Sequence, residues 1–219
     1  MLINDFDAAI FDMDGTIMDS LGIWEKIDYE FLEKKRGIKV PEDYVHAIAA
    51  MSFAEIADYT KGRFNLSDTP QELMQEWTDM AIHEYSHNIL LKPHVREYIS
   101  YLKHHGKKIA LCTSSPEYFF KPALRNNGIY DEFDAFANTC EAGIGKNHPK
   151  VYLLAAEKLG VRADRCLVFE DVISAARTAK KAGMIVCGVY DERSSQYMSQ
   201  LREVCDMYIN GFDELLEEM

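Results

Sequence analysis

The sequence predicts an α/β fold: a parallel sheet with helices on both faces, interrupted by an inserted α-helical bundle. Three observations carry this. Short apolar runs alternate with helical patterns along the second half of the 219 residues, as in a parallel sheet. The first apolar run, Ala8-Ala9-Ile10-Phe11, stops abruptly at Asp12-Met13-Asp14-Gly15-Thr16, the way a buried strand ends at a loop. About 90 residues between the first and second strands read as helix only, far more than an ordinary crossover.

In chain order, the first strand covers Ala8 to Phe11. Trp24, Ile27, Phe31 and Leu32 then space as one helical face stopped by Gly37, which predicts a helix with Trp24 in its core. Ser52-Phe53-Ala54-Glu55 and Thr69-Pro70-Gln71-Glu72 are capping-box patterns, the second with Pro at the first helical position. A helix from Pro93 to His105 precedes Gly106 and the second strand, Lys107–Thr113. Further strands are expected at Phe133–Ala137, Cys166–Phe169, Met184–Val189 and Asp206–Ile209. Helices at Pro116–Asn127, Pro149–Leu159 and Ser174–Ala182 separate them, followed by Gly128, Gly160 and Gly183 as C′ residues. Residues 1–17 and 91–219 would form the sheet domain and residues 18–90 a helical cap, placed to act as a lid.

Composition narrows the function. With 24 Lys and Arg against 36 Asp and Glu, the net charge is −12. That disfavours nucleic acid and anionic membranes as partners, and repels phosphorylated metabolites unless a cation reverses the field locally. No run approaches the roughly 18 apolar residues of a membrane span. The N-terminus lacks a basic and an apolar region, so no signal peptide is visible. Five dispersed cysteines, Cys112, Cys140, Cys166, Cys187 and Cys205, fit a reducing, cytoplasmic setting and use as small core residues. A monomer or small homo-oligomer is expected.

Four groups carry chemistry. Asp12 and Asp14 would project together from the strand end if the extended conformation persisted through Asp14; an EF-hand fails for want of a ligand at Thr16 and a Gly at Ile17. Thr113-Ser114-Ser115-Pro116 ends the second strand and begins a helix, where hydroxyls and free N–H groups make an anion site or a plain N-cap. Lys146 stands in a loop just before a helix. Glu170-Asp171 ends a buried strand and suits a hard cation such as Mg²⁺, or else caps the next helix. All four fall at the carboxyl ends of strands of one sheet, where they can converge.

In order and spacing these motifs resemble those of the haloacid-dehalogenase-like hydrolases, in the branch with an inserted helical cap that includes phosphoglycolate phosphatase and β-phosphoglucomutase. The resemblance spans essentially the whole chain and implies a Rossmann-like core. It implies that Asp12 is a nucleophile forming an aspartyl-phosphate and that Asp14 is the acid, then the base. Thr113 with Ser114, aided by Gly15 and Ser115, would hold the phosphoryl oxygens, and Lys146 would neutralise Asp12 and the phosphate. Mg²⁺ would be held by Asp12, the Asp14 carbonyl and Asp171, with Glu170 beside them. The substrate would be a small phosphorylated metabolite, with Ser20, Trp24, Met51, Ser52 and Ser115 as candidates to line its pocket.

Mutases of this family carry a His after the first motif and an Arg on a cap loop for a second phosphate. Here Trp24 stands where that His would fall, and Pro41 to Thr60 contains no Lys or Arg, which favours hydrolysis. His83-Glu84-Tyr85-Ser86-His87 fits the zinc-protease pattern H-E-x-x-H, but no third ligand is apparent; a solvated helix end is the plainer reading. His104-His105 and the tail acids Glu214, Glu217 and Glu218 read as a helix end and a solvated face.

Overall fold

Six parallel strands make one sheet: β1 (Ala8–Phe11), β2 (Lys108–Thr113), β3 (Ala135–Asn138), β4 (Cys166–Glu170), β5 (Ile185–Val189) and β6 (Met207–Ile209). Their order is β3-β2-β1-β4-β5-β6. The computed structural model that shows this describes residues 5–48, 51 and 53–217. The helices are α1 (Ile23–Asp28), α2 (Glu42–Ile48), α3 (Phe53–Phe64), α4 (Pro70–His87), α5 (Val95–His104), α6 (Glu117–Asn126), α7 (Thr139–Ala142), α8 (Lys150–Leu159), α9 (Ile173–Lys181), α10 (Met198–Val204) and α11 (Glu214–Glu217). The expected Rossmann-like architecture is present, with element ends displaced by a residue or two. Gly128, Gly160 and Gly183 all follow helices at positive φ. None of the helices among the described residues is long and apolar enough to cross a membrane.

The chain divides into two compact units, Met1–Leu21 with Ile89–Met219, and Gly22–Asn88. In the first, β1 lies between β2 and β4, so the strand order reverses there and the carboxyl end of β1 sits at a topological switch point. Phe11, its last residue, pairs with Leu111 on one side and Phe169 on the other. Asp12, Cys112-Thr113 and Glu170-Asp171 therefore lie side by side at the carboxyl ends of three neighbouring strands.

Both faces of the sheet are covered. Ala8, Ile10, Ala110, Cys112, Val168 and Val186 join Val151, Tyr152 and Ala155 of α8 and Ala175, Ala176 and Ala179 of α9 in one buried cluster. On the opposite face, Phe11 stacks on Phe169 at 4.7 Å between centroids and meets Tyr98 of α5, Phe133 and Phe212 edge-on or tilted. Phe11 is fully buried, so Phe11→Ala is expected to cost about 3–5 kcal/mol. Urea unfolding checks this; a loss under about 1 kcal/mol would mean that the cluster closes over the gap.

The second unit has helices and no strand among its described residues. Thr69 caps α4 as expected: its hydroxyl accepts from the Glu72 N–H at 3.2 Å, and Glu72 Oε2 accepts from the Thr69 N–H at 2.7 Å. Ser52 lies outside the described residues. Ile27, Phe31 and Leu32 are buried, but Trp24 is 42% exposed, which corrects its expected place in the core. The buried line runs Ile23-Ile27-Phe31, and Trp24 stands one residue, about 100°, off it. Beyond Asp28 the chain makes a π-helical turn, Tyr29–Lys34, which buries both Phe31 and Leu32. The cysteines are all free; Cys112, Cys166 and Cys187 are buried, Cys205 is intermediate, and Cys140 is exposed on the short α7 rather than in the core.

Candidate active site

β1 stops at Phe11, so the extended conformation does not persist through Asp14. The chain turns at once: the N–H groups of Ile17 and Met18 both donate to the Met13 carbonyl, at 3.0 and 2.9 Å. Gly15 makes the turn possible, with φ +79°. A Cβ there would lie 2.5 Å from Asp171 Oδ2 and 2.9 Å from Leu21. Asp171 thus fills the space that any other residue would need.

Three carboxylates meet at this edge. Ligand oxygens of Asp12, Glu170 and Asp171 lie within 4.8 Å of one another, all on buried residues. Lys146 is the cation set against them, with Nζ 2.5 Å from Asp12 Oδ1 and 2.6 Å from Glu170 Oε1. Burial alone would push the ammonium down, but the Asp12 and Glu170 charges outweigh it and hold Lys146 above the usual lysine value. One ammonium does not balance three carboxylates. Burial, then the Asp12 charge, pushes Glu170 up to about 7. Burial, then the Asp12 and Glu170 charges, pushes Asp171 up to about 8.

Asp14 is not one of these three ligands. Its carboxylate accepts from Ser20 Oγ and from Ser115 Oγ, each at 2.6 Å. Thr113 is buried, and its hydroxyl accepts from the Ser115 N–H at 2.9 Å. Ser114 is exposed, and its carbonyl accepts from the Thr139 hydroxyl at 3.2 Å. The helix after this loop has Pro116 as N-cap with no side-chain cap bond. Glu170 and Asp171 do not cap α9 either; its N-cap is Val172. Neither group serves the plain structural role open to it from sequence.

The residues fit a hard dication. They are oxygen donors in the range such ions take, their charge exceeds what Lys146 offsets, and buried Glu170 Oε2 has no hydrogen-bond partner. Asp12, Asp171 and Glu170 are the side chains able to hold it.

Three partners escaped the sequence reading. Thr16 Oγ1 lies 3.0 Å from Asp12 Oδ2 and 3.1 Å from Asp171 Oδ1, so one hydroxyl proton links two carboxylates. Tyr152 of α8 donates to Glu170 Oε1 at 2.7 Å. Lys92 Nζ donates to the Gly15 and Tyr190 carbonyls and pairs with Asp191 at 2.8 Å. Thr16 closes the first motif, but no role was read for it from the sequence. The other two are long-range contacts with no local pattern.

Among the described residues no third ligand joins the H-E-x-x-H stretch. His83 and His87 are exposed on α4, and buried Glu84 is bound to Lys26 at 2.7 Å. Among the described residues the only cluster of three ligands is that of Asp12, Glu170 and Asp171.

A family model described as haloacid dehalogenase-like hydrolase matches residues 6–183. The chain belongs to this family. Among its relatives is hexitol phosphatase B of Escherichia coli strain K12, 29% identical over 180 residues, or 81% of this chain and 80% of that one. Another is a phosphorylated carbohydrates phosphatase of Thermotoga maritima, 28% identical over 178 residues, or 81% of this chain and 82% of that one. Among solved structures, a candidate β-phosphoglucomutase from Thermotoga maritima superposes with a TM-score of 0.83 at 25% identity, covering 97% and 99% of the two chains. The β-phosphoglucomutase of Clostridium difficile shares the fold, with a TM-score of 0.70 at 21% identity over 96% and 93%.

As a member of this family, the hydrolase is expected to be intolerant of a Cβ at Gly15. Gly15→Ala forces a positive φ on an L residue, about 1–3 kcal/mol, and displaces Asp171. Since a misplacement of about 1 Å can cost about a hundredfold in rate, a fall of at least that size in kcat is expected. Steady-state kinetics beside thermal unfolding separates the two effects.

Proposed function

We propose that this hydrolase is a Mg²⁺-dependent phosphatase that cleaves a small phosphorylated sugar or polyol through an aspartyl-phosphate. The observation that carries the reading is the pairing of Asp12 with Lys146 inside a carboxylate cluster, with a second aspartate, Asp14, that accepts from the Ser20 and Ser115 hydroxyls. Two relatives named for hexitol and carbohydrate phosphates supply the substrate class.

The chemistry follows from the donors. Asp12, fixed by Lys146 and Thr16, attacks phosphorus while the bond to the leaving oxygen breaks. Asp14 gives that oxygen a proton, and the phosphoryl group is then joined to Asp12. Asp14, now a carboxylate, takes a proton from water as the water attacks phosphorus, and the Asp12 carboxylate is released with inorganic phosphate. Thr113, the Ser114 N–H and Lys146 hold the phosphoryl oxygens. Mg²⁺, when bound by Asp12, Asp171 and the Asp14 carbonyl, offsets charge on phosphate and carboxylates, which is most of what phosphoryl transfer requires.

Phosphate release from a panel of phosphorylated metabolites, with Mg²⁺ and with EDTA, tests the reading. The panel includes β-glucose 1-phosphate with its bisphosphate activator. Mg²⁺-dependent release from one or two compounds is expected. Isomerisation to glucose 6-phosphate without release would make the protein a mutase. The absence of Lys and Arg between Pro41 and Thr60 argues against that second reading. Asp14→Asn is expected to slow release at least about a hundredfold and to let ³²P accumulate on the protein from an activated substrate; no retained label would remove Asp14 from its role.

A further inference from the structure

Lys92 lies outside the four groups that carry the chemistry, in the short segment that leads into α5. Its side chain is nearly buried, and so is that of its ion-pair partner, Asp191. An ammonium has three N–H donors, and here three acceptors meet it. They are Asp191 Oδ2 and the Tyr190 carbonyl, each at 2.8 Å, and the Gly15 carbonyl. The main-chain N–H of Lys92 donates to the Ile17 carbonyl at 2.9 Å. One residue therefore grips the Met13–Met18 turn at two carbonyls, once with its backbone and once with its charge. All of these residues belong to the first unit.

Two arguments place the purpose of this ion pair in the turn. The pair contributes little by itself, because desolvating two charges offsets most of their attraction and an apolar pair of similar volume packs as well. Asp191 also has an anchor of its own: its Oδ1 accepts from the Arg193 N–H at 2.9 Å and caps the 3₁₀ turn Glu192–Tyr197. What the ammonium adds is a fixed donor aimed at Gly15. Gly15, in turn, is the residue that needs one. Without a side chain its ψ is the least restrained torsion of the turn. Rotation about it swings its carbonyl and the next residue together, because the peptide between them is planar. That next residue is Thr16. Its N–H donates to the Met13 carbonyl at 3.3 Å, and its hydroxyl lies 3.0 Å from Asp12 Oδ2 and 3.1 Å from Asp171 Oδ1. Holding the Gly15 carbonyl thus holds the hydroxyl that links two of the three carboxylates.

We propose that Lys92 is a positioning residue: backed by Asp191, it fixes the Gly15 carbonyl and, through Thr16, the alignment of Asp12 with Asp171. That this alignment governs turnover rests on the phosphatase reading above; that the turn is held does not.

Lys92→Met alone would leave the Asp191 charge buried and unpaired, a fault unrelated to the turn. Lys92→Met combined with Asp191→Asn removes both charges and keeps an acceptor for the Arg193 N–H. Hydrogen exchange of that protein, followed by mass spectrometry in EDTA, is expected to quicken about tenfold or more in the peptide spanning residues 13–18. Exchange in β4 and α8 should stay as in the parent, and the melting temperature should stay close to it. Unchanged exchange at residues 13–18 overturns the inference. So does exchange quickened equally through β1 and β4, which would make the pair a plain contributor to stability. If the paired variant does not fold, Asp191→Asn alone keeps the ammonium and removes its counter-charge. It is expected to shift the same peptide in the same direction by a smaller factor, and no shift there overturns the inference.

Kinetics tests the consequence. On the best substrate of the panel above, with Mg²⁺ saturating, kcat of the paired variant is expected to fall about ten- to a hundredfold with KM little changed, since neither residue holds the phosphoryl group. A parent-like kcat overturns the link from Lys92 to turnover. If the parent hydrolyses no compound of the panel, the phosphatase reading falls, and the exchange experiment still decides whether Lys92 holds the turn.

Discussion

Asp12→Asn is expected to abolish phosphate release, by at least about a thousandfold, with the fold intact. An amide is a poor nucleophile and a poorer ligand for a hard dication. Asn also keeps an oxygen that can accept from Thr16, now 3.0 Å from Asp12 Oδ2, or from Lys146, now 2.5 Å from Oδ1. The substitution removes one of three crowded carboxylates, so thermal stability in EDTA is expected to hold or rise. The decisive pair of measurements is single-turnover phosphate release and unfolding of the same preparation. Activity near that of the parent protein would remove Asp12 as nucleophile, and with it the aspartyl-phosphate. Lost activity together with lost structure would instead leave the side chain with a packing role, contrary to its place beside Lys146.

Why Asp12 could be singled out from sequence, and Tyr152 could not, is a matter of range. A buried strand that ends in Asp12 announces itself within nine residues, because burial and the abrupt change to carboxylates are both local. The same holds for Glu170-Asp171 after β4 and for the Thr69 capping box. The alternation of strands and helices gave the parallel sheet for the same reason. Trp24 was misplaced because two helical lines, through Ile23 or through Trp24, fit the same apolar spacing, and only packing decides between them. Tyr152 reaches Glu170 across 18 positions and Lys92 reaches the Gly15 carbonyl across 77. Each looks like an ordinary helix or loop residue until the sheet brings the partners together.

Lys146→Met is expected to cost both activity and stability, and its stability effect should depend on pH in a defined direction. The side chain is nearly buried, and its ammonium contacts both Asp12 and Glu170. Removing one partner of a buried ionic group costs about 3–5 kcal/mol, less here to the extent that the carboxylates take up protons. Glu170 and Asp171 already have folded-state values near 7 and 8 with Lys146 present, against about 4 in an unfolded chain. For a carboxyl raised on folding, the contribution to stability is whole below the unfolded value. It is lost as pH rises through the folded one, because the unfolded state sheds the proton that the folded state retains. Metal-free parent protein should therefore lose stability from about pH 4 to about pH 8 through these groups. Without Lys146 the folded-state values rise further, so the difference between variant and parent should be small near pH 4.5 and largest at pH 8. Mg²⁺ should narrow it at pH 8 by restoring positive charge to the same oxygens. Turnover should fall at least about a hundredfold even with Mg²⁺ saturating, since the cation also holds Asp12 and the phosphoryl group. Lys146→Arg should not rescue it, because a planar fork does not fill the place of a point charge between Asp12 and Glu170. Urea unfolding in EDTA at the two pH values, repeated with Mg²⁺, distinguishes this from simple loss of packing. A cost independent of pH and indifferent to Mg²⁺ would mean that the ammonium matters for its volume alone, and the electrostatic account of the site would fall with it.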